Sequence, residues 1–278
     1  MFSAATFNGQ VEFSPGFAPR PQISHAVFDF DGTLSWLRHG WPDLMCRVFR
    51  EHYPLQSGET ESAVRDRLLD EILALNGKPS IFQMERFVEM ARERGTNPPS
   101  PAGLLREYQS RLDDAIEERA ALIRGGKSQP DAFVIHGARP LLDDLHQRGI
   151  ELIILSGTVE TRVRQEAELL GLAGYFGAHI YGSQPDAAQF SKRAVLDRLL
   201  HEEKIDGANL LSFGDGPVEI HHTKELGGLP IAVASDEVHN GSGHPDPHKR
   251  RQLLAAGADV VIADYRDASA LLRIIFKR

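Results

Sequence analysis

Residues 25–36 read HAVFDFDGTLSW. Three apolar residues, Ala26, Val27 and Phe28, run straight into two aspartates, Asp29 and Asp31, with Phe30 between them and Gly32-Thr33 behind them. Acidic residues are depleted in strands, so a hydrophobic strand that ends on a carboxylate needs a reason. Asp31-Gly32 by itself fits a tight turn in a hairpin. That reading leaves Asp29 unexplained. A carboxylate at the end of a buried strand faces a dry interior, where charge is costly unless a cation or hydrogen bonds compensate it. Two carboxylates this close also repel, and a metal ion or a shared proton is the expected remedy.

Downstream, short apolar runs alternate with amphipathic helical segments. IELIILSG (150–157), AHIYGS (178–183), ANLLSFGDG (208–216), LPIAVASD (229–236) and ADVVIAD (258–264) read as strands. Helical patterns lie between and after them, at 159–172, 191–204, 218–226, 246–257 and 267–278. Such alternation implies parallel strands joined by right-handed crossovers. The nearly continuous apolar character of the strands implies burial on both faces. The strand ending at Asp29 belongs to this sheet.

Between that strand and the rest lies a different regime. From about Pro42 to Gly126 the pattern is helical, with Val64, Leu68, Leu69, Ile72 and Leu75 on one face and Leu105, Tyr108, Leu112 and Ile116 on another. Pro79 suits the first turn of a helix that runs to Gly95, and TNPPSP (96–101) separates it from the next. The expected organisation is a loose or edge-running leader (1–21), an α/β core (22–40 and 136–278) and an inserted bundle of about four helices (41–135).

Composition narrows the function. The chain has 278 residues, 41% apolar and 25% charged, with a formal net charge of -8. An acidic balance argues against nucleic acid as a partner, although a local cation cluster can still receive an anionic small molecule. The one cysteine, Cys46, excludes an intrachain disulfide. No apolar run reaches the ~18 residues of a membrane span, and the N-terminus lacks the basic and apolar blocks of a secretory signal. A cytoplasmic protein without a membrane partner is expected; the oligomeric state is not legible.

In open α/β sheets ligands bind beyond the carboxyl ends of the strands. Three strands here end in polar signals: Asp29-Phe30-Asp31-Gly32-Thr33, Ser156-Gly157-Thr158, and Gly214-Asp215-Gly216 with Glu219 four residues past Asp215. Lys192 opens the helix between the last two. Each has an ordinary reading. Ser156 or Thr158 can N-cap the following helix, Asp215-Gly216 can be a turn, and Lys192 can be a solvated lysine set against the helix dipole. Their joint appearance in this order favours a shared site.

These motifs resemble those of the haloacid dehalogenase superfamily of phosphotransferases. DFDGTL matches its first motif, ILSGT its second, Lys192 its third, and GDGPVE its fourth, with Glu219 standing where the pattern has a second aspartate. The resemblance implies a Rossmann-like parallel sheet flanked by helices, with the helical block as a cap. It implies a phosphatase in which Asp29 is the nucleophile and forms an aspartyl phosphate. Mg²⁺ would be held by the carboxylates of Asp29 and Asp215 and the main-chain carbonyl of Asp31, with Glu219 reaching it through water or orienting a ligand. Lys192 would offset the clustered charge. Ser156 and neighbouring backbone N–H groups, with Thr33 and Gly157 as the substrate-binding positions, would hold the phosphoryl oxygens. Asp31 would protonate the leaving oxygen and then activate water. Haloacid dehalogenases and phosphonate-cleaving members lack this second aspartate, so its presence points to phosphate esters. A sugar phosphomutase and a non-catalytic phospholigand-binding protein are the alternatives.

A small phosphorylated substrate, such as a sugar phosphate, suits an inserted cap of this size. Lys78, in the turn LNGKPS (75–80), is the candidate substrate-facing residue of the cap. His239, His244 and His248 share a loop that reads as solvent-exposed, with Asp246 as N-cap and Pro247 opening a helix. Trp36 and Trp41 read as packing at the passage into the helical block.

Overall fold

The computed structural model describes residues 7–76, 79–183, 191–202 and 204–277. In chain order the elements are β1 (Val11–Phe13), β2 (His25–Phe28), α1 (Trp41–Glu51), α2 (Glu61–Ala74), α3 (Ile81–Glu93), α4 (Pro101–Arg124), α5 (Ala138–Gln147), β3 (Glu151–Val159), α6 (Glu160–Leu169), α7 (Ala173–Phe176), β4 (Ile180–Ser183), α8 (Lys192–Glu202), β5 (Leu210–Gly214), α9 (Pro217–Glu225), β6 (Leu229–Val233), α10 (Pro247–Ala255), β7 (Val260–Ile262) and α11 (Ala268–Ile275). Among the described residues the strands form one seven-stranded sheet in the order β1-β7-β6-β5-β2-β3-β4.

From β2 the chain builds outward to β3 and β4, then returns to the other side of β2 to lay down β5, β6 and β7. All these strands pair in parallel. The order therefore reverses between β2 and β5, and this switch point opens a crevice at their carboxyl ends. Asp29 follows β2 there, and its N–H donates to the Phe213 carbonyl of β5 at 2.9 Å.

The strands are apolar because helices cover both faces. β5 and β6 are buried along their whole length. Phe28 lies in the centre of one layer, fully buried, stacked on Phe213 at 4.7 Å between centroids and edge-on to Phe176. Leu141, Leu142 and Leu145 of α5 and Leu271, Leu272 and Ile275 of α11 join that layer. Leu196 and Leu199 of α8 pack on the opposite face with Val27, Ile153 and Leu155.

The leader expected over 1–21 is, from Phe7 onward, part of the sheet layer. β1 pairs antiparallel with β7, Val11 opposite Ile262. Phe7, Phe13 and Phe17 pack against the main core, and the Asp267 carboxylate accepts the N–H groups of Asn8 and Gly9 at 2.8 and 2.7 Å. A segment with three phenylalanines gains by covering an open sheet edge.

The chain divides into two compact units, 1–37 with 122–278, and 38–121. The boundary at 121 lies earlier than the expected 135 because Ile123, Phe133, Val134 and Ile135 pack into the core of the α/β unit. The helical unit has its own core, in which Phe49 stacks on Phe87 at 4.1 Å and Val64, Leu68 and Ile72 of α2 are buried. Pro79 stands before α3 rather than in its first turn; Ser80 is the N-cap. Among the described residues no helix is long and apolar enough to cross a membrane.

Phe28→Ala would open a cavity under the site. It is expected to destabilise the protein by about 3–5 kcal/mol, read as a lower urea midpoint with an unchanged slope.

Candidate active site

The loop after β2 is wound tightly. The amide N–H groups of Leu34 and Ser35 both donate to the Phe30 carbonyl, at 2.9 and 2.8 Å, and Gly32 N–H donates to the Ser35 carbonyl at 2.9 Å. Two further carbonyls of this loop are pinned from outside: Gly32 O accepts the Ser235 hydroxyl at 2.7 Å, and Thr33 O accepts the Tyr265 hydroxyl at 2.9 Å. Burial pushes the Tyr265 pKa well up, and the charges of Asp215, Asp29 and Asp264 push it further, so its hydroxyl stays a donor. Gly32 has a φ of +72°, and a Cβ there would lie 2.2 Å from Asp215 Oδ2. Glycine is required twice over, for the left-handed turn and for the approach of that carboxylate.

Asp29, Asp215 and Glu219 each bring a carboxylate oxygen within 4.8 Å of the others. Lys192, the first residue of α8, reaches in from the side; its Nζ lies 2.8 Å from Asp29 Oδ1 and 3.5 Å from Glu219 Oε2. Burial pushes the Asp29 carboxyl well above the usual carboxylate range. Lys192 pulls it back, and the neighbouring charges of Glu219 and Asp215 push it up again. For Lys192 burial opposes the charge, but Asp29, Glu219 and Asp215 together outweigh it and raise the pKa. Two lysines, Lys192 and Lys249, face four carboxylates, those of Asp29, Asp215, Glu219 and Glu237, so excess negative charge remains on hard oxygen donors, and the converging set of Asp29, Asp215 and Glu219 fits Mg²⁺.

The side chain of Asp31 lies outside that cluster. Its Oδ2 accepts the Thr158 hydroxyl at 2.8 Å. Ser156 Oγ, buried, accepts the Thr158 N–H at 3.0 Å. Neither residue caps α6, whose N-cap is Val159 with no side-chain bond. Gly157 is exposed, with nothing within 4 Å of where a Cβ would sit, so its backbone is open to a ligand. Thr33 is fully buried and its hydroxyl has no hydrogen-bond partner among the described residues; of the residue, the main chain is the part suited to meet a substrate. Lys78 lies outside the described residues.

Glu219 has a second task that explains its length. Its Oε1 accepts the Gly216 N–H at 2.9 Å, closing the first turn of α9. The side chain then occupies the space beside two glycines. A Cβ on Gly214 would lie 2.4 Å from Glu219 Cγ, and one on Gly216 2.8 Å from Oε1. The glutamate is accommodated by the glycines that flank Asp215.

Reasoning from sequence missed Thr158 as the partner of Asp31, and it missed Lys249. This lysine of α10 is 2% exposed, with Nζ 2.9 Å from Asp215 Oδ2, 2.5 Å from Glu237 Oε1 and 3.0 Å from Ser235 Oγ. Its signal was its place four residues before Leu253, on the same buried face of the helix. In the histidine loop, His244 pairs with Gln10, and His248 with Arg251 and Gln252. Asp246 caps α10 as expected, accepting the N–H groups of His248 and Lys249.

A parallel sheet with carboxylates and a buried lysine gathered at its switch point is the framework of an α/β enzyme. The sequence matches the haloacid dehalogenase-like hydrolase family over residues 23–222, and the chain belongs to that family. No curated protein matches the sequence. Among solved structures, the chain is similar to a haloacid dehalogenase-like protein of unknown function from Agrobacterium tumefaciens, with a TM-score of 0.64 and 19% identity over 90% of this chain and 97% of the other. It is similar to a predicted phosphoglycolate phosphatase from Haemophilus somnus (TM-score 0.59, 15% identity, 90% and 98% covered). It is also similar to a putative β-phosphoglucomutase from Thermotoga maritima (TM-score 0.55, 14% identity, 91% and 100% covered). At these identities the likeness is one of fold.

Gly214→Ala is expected to destabilise the protein by about 1–3 kcal/mol through overlap with Glu219. In a Glu219→Ala background, which removes Cγ, the same glycine change should cost much less. An equal loss in both backgrounds, read by thermal melting, would show that the glycine answers to another neighbour.

Proposed function

We propose that the protein is a Mg²⁺-dependent phosphomonoester hydrolase that works through an aspartyl phosphate on a small phosphorylated metabolite, with a sugar phosphate as the favoured class and the helical unit as its cap. One observation carries the reading: a buried carboxylate paired with a lysine at 2.8 Å, and two residues on a second aspartate held by a threonine hydroxyl at 2.8 Å. The first suits a nucleophile and the second a proton carrier. The names of fold neighbours support the substrate class. They include the predicted phosphoglycolate phosphatase and CbbY from Rhodobacter sphaeroides, solved with xylulose-1,5-bisphosphate.

Asp29 attacks the phosphorus while Asp31 gives its proton to the departing oxygen, so that an alcohol leaves. Asp31 then takes a proton from water, the water oxygen attacks the phosphorus, and the bond to Asp29 breaks to release phosphate. Lys192 opposes the effect of burial on the Asp29 carboxylate and offsets the charge of the transferring group. Ser156, with the backbone about Thr33 and Gly157, holds the phosphoryl oxygens. Thr158 fixes one oxygen of Asp31 and so sets the direction in which the carboxyl faces. Asp29, Asp215 and Glu219 would hold Mg²⁺, with the main-chain carbonyl of Asp31. When bound, the ion supplies positive charge that lets two anions approach one another.

A sugar phosphomutase is the second reading, favoured by the β-phosphoglucomutase among the fold neighbours. It returns the phosphoryl group to substrate, so release of free phosphate separates the two.

The test is phosphate release from p-nitrophenyl phosphate and from a panel of phosphorylated metabolites. Activity is expected with Mg²⁺ and none in EDTA. Asp29→Asn should abolish it with the circular dichroism unchanged; activity within about tenfold of wild type would overturn the assignment of the nucleophile. Asp31→Asn keeps the acceptor for Thr158 but carries no transferable proton. It should slow alkyl phosphates by about 10²-fold or more and aryl phosphates, whose leaving groups need less protonation, by less. Equal slowing of both would reduce Asp31 to a structural role.

A further inference from the structure

The matched motifs end with Glu219, yet a second lysine, Lys249, itself buried, stands against one of their carboxylates. It comes from α10, beyond β6 in sequence order, and no motif requires it. Its ammonium is divided among three groups: Asp215 Oδ2 at 2.9 Å, Glu237 Oε1 at 2.5 Å and Ser235 Oγ at 3.0 Å. Ser235 passes the contact on, donating to Gly32 O at 2.7 Å. A lysine this buried stays charged because Asp215 and Glu237 outweigh the effect of burial.

The two oxygens of Asp215 are therefore not equivalent. Oδ2 is held by Lys249 on one side. On the other it is packed against Gly32, where a Cβ would lie 2.2 Å from Oδ2 but 3.3 Å from Oδ1. Oδ2 is sealed by two independent contacts, and Oδ1 is the oxygen left to meet a cation. Divalent ions differ in what they ask of a carboxylate. Mg²⁺ takes six ligands in near-octahedral geometry, whereas Ca²⁺ takes six to eight and readily accepts both oxygens of one carboxylate.

We propose that Lys249 is a positioning residue that seals Oδ2 of Asp215, so that this carboxylate offers a cation one oxygen and the site favours Mg²⁺ over Ca²⁺. The proposal rests on the metal reading above. Glu237 has a separate part in it: it balances the charge of Lys249 without touching the geometry of Asp215.

The experiment is calorimetric titration of the full-length protein with MgCl₂ and with CaCl₂, comparing the ratio of the two dissociation constants. A change of net charge shifts both divalent ions together, so the ratio isolates geometry. In the charge-balanced double variant Lys249→Met/Glu237→Gln, Asp215 is free to chelate through both oxygens. The preference for Mg²⁺ is expected to fall by about tenfold or more. Glu237→Gln alone leaves the grip in place; both constants should move while their ratio stays within about twofold. Melting curves check that each variant is folded. Should the double variant not fold, Lys249→Met alone reads the same ratio. A ratio unchanged in the Lys249 variants overturns the proposal and leaves the phosphatase reading standing. So does a ratio shifted as far by Glu237→Gln alone. A wild-type protein that binds neither ion overturns both.

Discussion

Asp29 is a carboxylate at the buried end of a central strand, and its tolerance there depends on Lys192. Burial works against an ionised carboxyl, and the nearby Asp215 and Glu219 work against it further. A single ammonium at 2.8 Å restores the balance in part. The pair is held rather than found: Asp29 by its amide bond to the Phe213 carbonyl of β5, Lys192 by its place at the start of α8, whose Leu196 and Leu199 dock on the sheet. The strand order brings these elements together, since β2 and β5 become neighbours only because the chain doubles back after β4. A fold that laid its strands down in sequence order would have separated the two acids.

Around this pair, stability and chemistry use the same contacts. Ser235 and Tyr265 hold the carbonyls of Gly32 and Thr33, fixing the loop that carries both aspartates. Lys249 joins Ser235 to Asp215 and so ties the loop after β2 to the one after β5. The Ser235 hydroxyl, the Tyr265 hydroxyl, the Lys249 ammonium and the Asp215 carboxylate each find a partner in this network, and for that reason it tolerates few substitutions.

The sheet, the inserted helices and the carboxylates were legible in the chain because each leaves a local mark. Strand burial makes apolar runs, helices show a 3.6-residue period, and Asp29, Asp31 and Asp215 follow apolar runs at which no ordinary strand would place them. Lys249 was not legible. A lysine in HKRR looks solvated, and its burial depends on Glu237 and Asp215, which meet it only through the fold. Thr158 had a competing local explanation as a helix cap, which the extension of β3 to Val159 removes. The first strand was legible only as a loose or edge-running segment for a related reason: three residues flanked by glycine and proline carry too little pattern, and it is the edge of β7 that orders them.

That edge strand bears on how the molecule is made. Val11 pairs with Ile262, so this segment has no sheet partner until residues 260–262 have been made. Until then the Phe7, Phe13 and Phe17 side chains lack the surface that they cover in the folded unit, and once β7 has formed its outer edge stays open until β1 arrives. Pairings across nearly the whole chain close late, because the loop must be drawn together before any contact rewards it. In that interval an apolar segment and an unpaired strand edge are exposed together, which is the arrangement from which strand exchange between two copies begins.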